Sequence, residues 1–143
     1  MNIKLDTEKC YCIALRRAAR AATAYYNRII LQSGITSNQY SLLINLFRTA
    51  PCSATALART MKLERTTLLQ NIKPLVETGY IQDLAEEGER DRQLIVTDKG
   101  IAALETAQKL WEKAQAGLKT HIGEEDFEKL MSVIAGLEQL IPP

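Results

Sequence analysis

Apolar residues recur at helical spacing in six stretches of the chain and at strand spacing in two. Leu15, Ala18, Ala22, Tyr25 and Ile29 form one stripe, which predicts a helix from about Asp6 to Gln32, capped by Asp6 or Thr7 and ended at Gly34. A second helix starts at "TSNQYSLLINLF", where Thr36 and Gln39 have capping-box spacing and Tyr40, Leu43, Ile44 and Phe47 are expected to face a core. Pro51 breaks it. "SATALART" predicts a short third helix with Ala56 and Leu57 inward, and "MKL" bridges to "ERTTLLQNIKPLVETGY". In that fourth helix Leu68, Leu69, Ile72, Leu75 and Val76 are expected to be buried, Pro74 to bend or weaken the helix, and Gly79 to stop it. The period then falls to near two. "YIQDL" and "RQLIVT" predict a hairpin whose charged tip turns at Gly88. Thr97 caps a helix from about Asp98 to Thr120, with Ile101, Leu104, Leu110, Ala114 and Leu118 on its apolar face. A last helix, about Glu124 to Leu140, carries Phe127, Leu130, Met131, Ile134, Leu137 and Ile141.

Four helices, a hairpin and two helices predict a mainly α fold in which a winged helix-turn-helix lies between two strongly apolar terminal segments. Those segments pack either on the middle of their own chain or on a second copy. An α-helix fits the major groove, and a wing can reach the adjacent backbone or minor groove. On the fourth helix Arg65, Thr66, Thr67, Gln70, Asn71 and Lys73 lie largely off the apolar stripe. Arginine pairs with guanine, Gln and Asn with adenine, and Thr and Lys with phosphate. The same residue types also suit an ordinary solvated helix face.

Composition narrows the field. The length, 143 residues, suits one domain, and 46% hydrophobic residues are enough to fold it without disulfides. A formal charge of +1 excludes a broadly basic wrapper of nucleic acid but leaves room for a local basic patch. The polar start "MNIKLDTEK" and the lack of any long apolar run point away from membranes and towards the cytoplasm. Three cysteines cannot all pair, which fits a reducing compartment. No Ser-His-Asp set, H-E-x-x-H or phosphate-binding glycine loop suggests an enzyme, and nothing calls for a cofactor.

Two motifs give the chain a family resemblance. "LARTMKLERTTLLQNIKPLVETGYI" is very similar to the helix-turn-helix of the multiple-antibiotic-resistance regulator (MarR) family of bacterial transcription factors. Arg90 to Gly100, "RDRQLIVTDKG", resembles its wing signature D-x-R-x-x-x-x-x-L-T-x-x-G, with Arg90, Val96, Thr97 and Gly100 on the matching positions. The signature's aspartate falls on Gly88. The span Asp83 to Arg92 holds five acids against Arg90 and Arg92, so the recognition helix is the stronger DNA contact of the two.

The resemblance covers essentially all of 1–143. It implies a DNA-binding part at 36–100 and dimerisation helices at 1–34 and 101–143. It further implies a homodimer on a pseudo-palindromic double-stranded operator, usually as a repressor, released by a small aromatic ligand or by cysteine oxidation. The alternative is a winged-helix protein-interaction module that has lost DNA binding.

The cysteines then take their place. Cys10, Cys12, Cys52 and His121 make a poor zinc set. On the predicted first helix Cys10 and Cys12, two residues apart, point in different directions, which disfavours a disulfide. From Cys12, Arg20, Thr23 and Tyr26 fall where the organic-hydroperoxide-sensing branch of the family has Arg, Thr and the Tyr that orients its reactive cysteine. Two further tyrosine positions of that branch are Arg16 and Ser37 here, so the constellation is incomplete. Arg16 favours a Cys12 thiolate and Glu8 opposes it. Two readings of Cys12 stay open: a redox sensor working with Tyr26 and Arg16, or a small buried hydrophobe on a packing helix.

Overall fold

The computed structural model describes residues 6, 9–86, 88, 89 and 92–141. Among them the order is α1 (Tyr11–Ile30), α2 (Ser37–Thr49), α3 (Ala54–Met61), α4 (Arg65–Glu77), β1 (Ile81–Asp83), β2 (Leu94–Val96), α5 (Asp98–Ile122) and α6 (Glu124–Glu138). This is the winged helix-turn-helix with flanking helices that the periodicity predicts.

Local chemistry sets the boundaries. A short 3-10 turn, Leu31–Ser33, follows α1 and ends at Gly34, whose φ of 90° suits glycine. The capping box forms: Gln39 N donates to Thr36 Oγ1 at 3.1 Å, and Thr36 N donates to Gln39 Oε1 at 2.9 Å. Ser53 and Thr97 cap α3 and α5 in the same manner, without the reciprocal bond. At the start of α1 the expectation fails. The N-cap is Cys10, which offers no side-chain cap bond, and Asp6 pairs instead with Lys9 at 3.0 Å; Thr7 lies outside the described residues.

The core sits where α2, α3, α4 and the wing base meet the first half of α5. Leu42, Leu43, Leu46, Leu57, Leu68, Ile72, Leu75, Ile81 and Leu94 are all essentially inaccessible. β1 and β2 pair antiparallel, Ile81 opposite Val96 and Asp83 opposite Leu94, and Cys52 adds a single bridge to Leu94. Each strand is only three residues long, and Ile81, Leu94 and Val96 turn their side chains into the core.

Three residues expected inside are outside. Phe47 is about half exposed, since α2 buries Leu42, Leu43 and Leu46 and the next residue is turned about 100° away. Ala56 is exposed because α3 buries Ala54, Leu57 and Ala58. Val76 lies at the edge of the Leu68–Ile72–Leu75 stripe and is also exposed. Pro74 does not end α4, which runs on to Glu77. The proline leaves the Gln70 carbonyl without its usual N–H donor, but Gln70 is exposed and water can serve it.

The terminal helices behave differently. The C-terminal half of α1 packs on α5, where Tyr25 Oη donates to the Ala114 carbonyl at 2.9 Å. Gly117 permits that approach, because a Cβ there would lie 2.5 Å from the hydroxyl. The N-terminal half of α1, Leu15, Ala18 and Ala22 included, is exposed, and α6 buries no residue. No helix among the described residues is long and apolar enough to cross a membrane.

Candidate nucleic-acid interface

The geometry begins with the turn between α3 and α4. Lys62 takes the left-handed conformation, φ 54°, and Leu63 N donates to the Ala58 carbonyl at 2.9 Å. This closes α3 as a glycine-type C-cap would, although a non-glycine residue there costs about 1 kcal/mol. α4 then leaves at once, held by Leu68, Ile72 and Leu75.

With that stripe buried, the opposite face is fixed. Arg65, Thr66, Thr67, Gln70, Asn71 and Lys73 are all exposed. Thr66, Gln70 and Lys73 form one row at i, i+4 and i+7, with Thr67 and Asn71 beside it. Arg65 opens the helix, and its Nε donates to Thr55 Oγ1 of α3 at 3.2 Å. No carboxylate among the described residues forms an ion pair with any of these cations. The surface is cationic and rich in donors, as a duplex requires.

The wing is braced from its base. Asp83 Oδ1 accepts from Ala85 N and from Gln93 N, both at 3.0 Å, and Leu84 N donates to the Gln93 carbonyl at 2.8 Å. One of the five wing acids is thereby turned to the base of the hairpin. Gly88 turns the tip at φ 95°. Arg92 is exposed, two residues before β2; Arg90 lies outside the described residues. Behind the wing, Thr97 Oγ1 donates to the Gly79 carbonyl at 2.5 Å and accepts from Gly100 N at 3.1 Å. A Cβ on Gly100 would come within 2.6 Å of Val96 Cγ1. The threonine and glycine of the wing signature therefore lock α5 to the hairpin by contact.

A cleft of about 370 Å³ opens between α1, α2 and α5. Tyr26, Tyr40 and Trp111 give it aromatic walls, Ser37 and Ser41 add hydroxyls, and Arg48 brings a cation. Tyr40 and Trp111 stack with centroids 6.1 Å apart. Burial, aided by neighbouring Tyr25, holds the Tyr26 phenol above its ordinary value. Burial does the same to Tyr40, against an opposing pull from Arg48. Both remain neutral donors at physiological pH. Hydrophobic periodicity alone does not predict this cleft; its signal in the sequence is Ser37, Ser41, Ile44 and Arg48 at i, i+4, i+7 and i+11, a mixed stripe that no simple core would use.

The candidate sensor residues do not assemble within one chain. Cys12 is exposed rather than packed, and Arg16 stands one turn away. Tyr26 lies farther along the same helix by about 21 Å, at 1.5 Å per residue, and its hydroxyl bonds to Gln115 Oε1 of α5. Tyr26 therefore cannot orient the Cys12 of its own chain. Cys10 sits outside the helix with extended backbone, φ −78° and ψ 111°. The divergence expected of two helical cysteines thus does not apply to this pair.

Solved structures resemble the whole arrangement. The chain is 32% identical to the transcriptional regulator MosR of M. tuberculosis in complex with DNA, with 92% of this chain and 96% of that one covered and a TM-score of 0.81. It also matches the transcriptional repressor CouR bound to a 23-mer DNA duplex, at 23% identity, coverage of 96% and 99%, and a TM-score of 0.79. A third match is the PcaV transcriptional regulator from Streptomyces coelicolor in complex with its natural ligand. There the identity is 16%, the coverage 96% and 98%, and the TM-score 0.83. The latter two likenesses speak to the fold alone. No family model matches this chain, and no curated protein does.

Proposed function

The chain belongs to the MarR family of winged helix-turn-helix transcriptional regulators, and on that premise we propose that it acts as a homodimeric, sequence-specific repressor in the cytoplasm. The family is one of regulators, not enzymes. The observation that carries the reading is the exposed polar face of α4, set on a buried Leu68–Ile72–Leu75 stripe and backed by a braced wing. In this reading the 36–100 part meets DNA. Arg65, Gln70 and Asn71 read base edges, Thr66, Thr67 and Lys73 fix the backbone, and Arg90 and Arg92 reach from the wing. The helices of 1–34 and 101–143 join two copies through the bare apolar faces of α1 and α6. A pseudo-palindromic operator then receives two α4 helices about 34 Å apart.

Release follows from the cleft. A small aromatic ligand would pack against Tyr26 and the stacked Tyr40 and Trp111, with an acidic group towards Arg48. It would bear at once on α2, which belongs to the DNA-binding part, and on α1 and α5, which belong to the dimer. A ligand that fits one spacing of these helices better than another shifts the population towards it. Oxidation of Cys12 by an organic hydroperoxide is the second route, with the orienting tyrosine then supplied across the dimer.

A gel shift against the protein's own promoter region, with a salt titration, tests the reading. Sequence preference and a steep fall of affinity with salt are expected. Binding without either would leave a protein-interaction module as the better description. Operator release by organic hydroperoxide that persists in Cys12→Ser would remove Cys12 from the mechanism.

A further inference from the structure

Arg65 is the first residue of α4, and the N-terminal residues of a recognition helix are those that meet base edges. An exposed arginine samples many rotamers, and a reader of bases must give that freedom up on binding. Here one constraint is already in place. The Arg65 Nε–H donates to Thr55 Oγ1 at 3.2 Å, from the second residue of α3. Ser53 caps that end of α3, with Ala56 N donating to Ser53 Oγ at 3.1 Å, so the threonine stands on an ordered turn. Guanidinium is planar, and with Nε committed its other end still offers the four N–H bonds of Nη1 and Nη2, a fork that matches guanine O6 and N7.

We propose that Thr55 is a positioning residue for Arg65, holding the guanidinium by Nε so that its free end reads a guanine in each half-site. The proposal rests on the DNA-binding reading of α4 and adds to it a residue on α3. In open water the Thr55–Arg65 bond is weak. Once the duplex excludes water it becomes stronger and fixes the guanidinium plane. Lysine could not replace the arginine, because its ammonium has no second end to hold.

The test uses the full chain and an operator enriched from a random duplex pool with the wild-type protein. Every single-base variant of one half-site is titrated by fluorescence anisotropy against wild type, Arg65→Ala, Thr55→Val and Thr55→Ser, and thermal midpoints confirm that each is folded. Arg65→Ala is expected to lose its preference for one G·C pair by about tenfold or more. Thr55→Val should lose roughly threefold or more at that same pair and little elsewhere, since it removes the constraint but not the arginine. Thr55→Ser, which keeps the hydroxyl, should restore the preference. If Thr55→Val keeps full preference, or loses affinity evenly across all sequences as a phosphate contact would, the positioning role is wrong. If Arg65→Ala keeps its preference at every pair, Arg65 is not a base reader, and the assignment of α4 contacts fails before that of Thr55.

Discussion

Helices α4 and α6 are of similar length, 13 and 15 residues, and both are amphipathic, yet they have opposite fates. α4 buries Leu68, Ile72 and Leu75 completely within its own chain and turns a polar face outward. α6 also has apolar residues at helical spacing, but Leu130, Met131 and Val133 are 40%, 50% and 58% exposed. The first helix is finished by the fold. The second buries no residue within its own chain, and α1 leaves Leu15 and Ile13 partly bare as well. Exposed apolar faces of this kind are what interfaces use, which supports the proposed homodimer. In the proposed reading the contrast separates the part that meets DNA from the part that would join two copies.

Substitutions can break the contrast from either side. The largest effect is expected from Ile134→Glu with Leu137→Glu on α6. Two unpaired carboxylates in a dimer interface should weaken association by about 4 kcal/mol or more, measured by sedimentation, while the monomer keeps its helical circular dichroism. If dimerisation is unaffected, α6 is not the interface. Leu68→Ala should do the reverse, destabilising the helix-turn-helix by about 3 kcal/mol in urea unfolding without moving the dimer contact itself. Asn71→Ala should leave stability unchanged and weaken operator binding by about 2 kcal/mol, concentrated at one base pair. An even loss across sequences would make Asn71 a backbone contact. The smallest effect is Thr36→Ala, which removes half of the capping box and should lower stability by about 1 kcal/mol. It sharpens the contrast by touching α2, which borders both the core and the cleft.

Much of this was legible in the pattern of residues. The six helices, the hairpin, the caps at Thr36 and Thr97 and the stops at Gly34 and Gly79 all depend on interactions within a few residues, which a sequence displays directly. The outward face of α4 was legible too, since a buried stripe at i, i+4 and i+7 leaves its opposite no choice. The misreadings lie at the edges of stripes. Phe47, Ala56 and Val76 are each apolar and each adjacent to a buried position, and spacing alone cannot say where the neighbouring helix stops covering them. The start of α1 was misplaced because Asp6 is a competent cap that pairs with Lys9 instead.

The site divides in the same way. Spacing placed Cys12, Arg16 and Tyr26 on one helix, but a helix is a ruler as well as a face. It keeps Tyr26 a long way from Cys12, and Tyr26 closes on Gln115 of α5. The cleft between Tyr26, Tyr40, Trp111 and Arg48, and the hold of Thr55 on Arg65, join residues distant in sequence or on different helices. What the sequence determined alone was therefore the inventory of elements and the polar face one of them presents, because hydrogen bonds and hydrophobic periodicity act over one or two turns. What only the tertiary structure decided was which apolar faces find partners inside the chain, which are left bare, and which side chains meet. Those outcomes depend on how whole helices cross, and no local run of residues encodes a crossing.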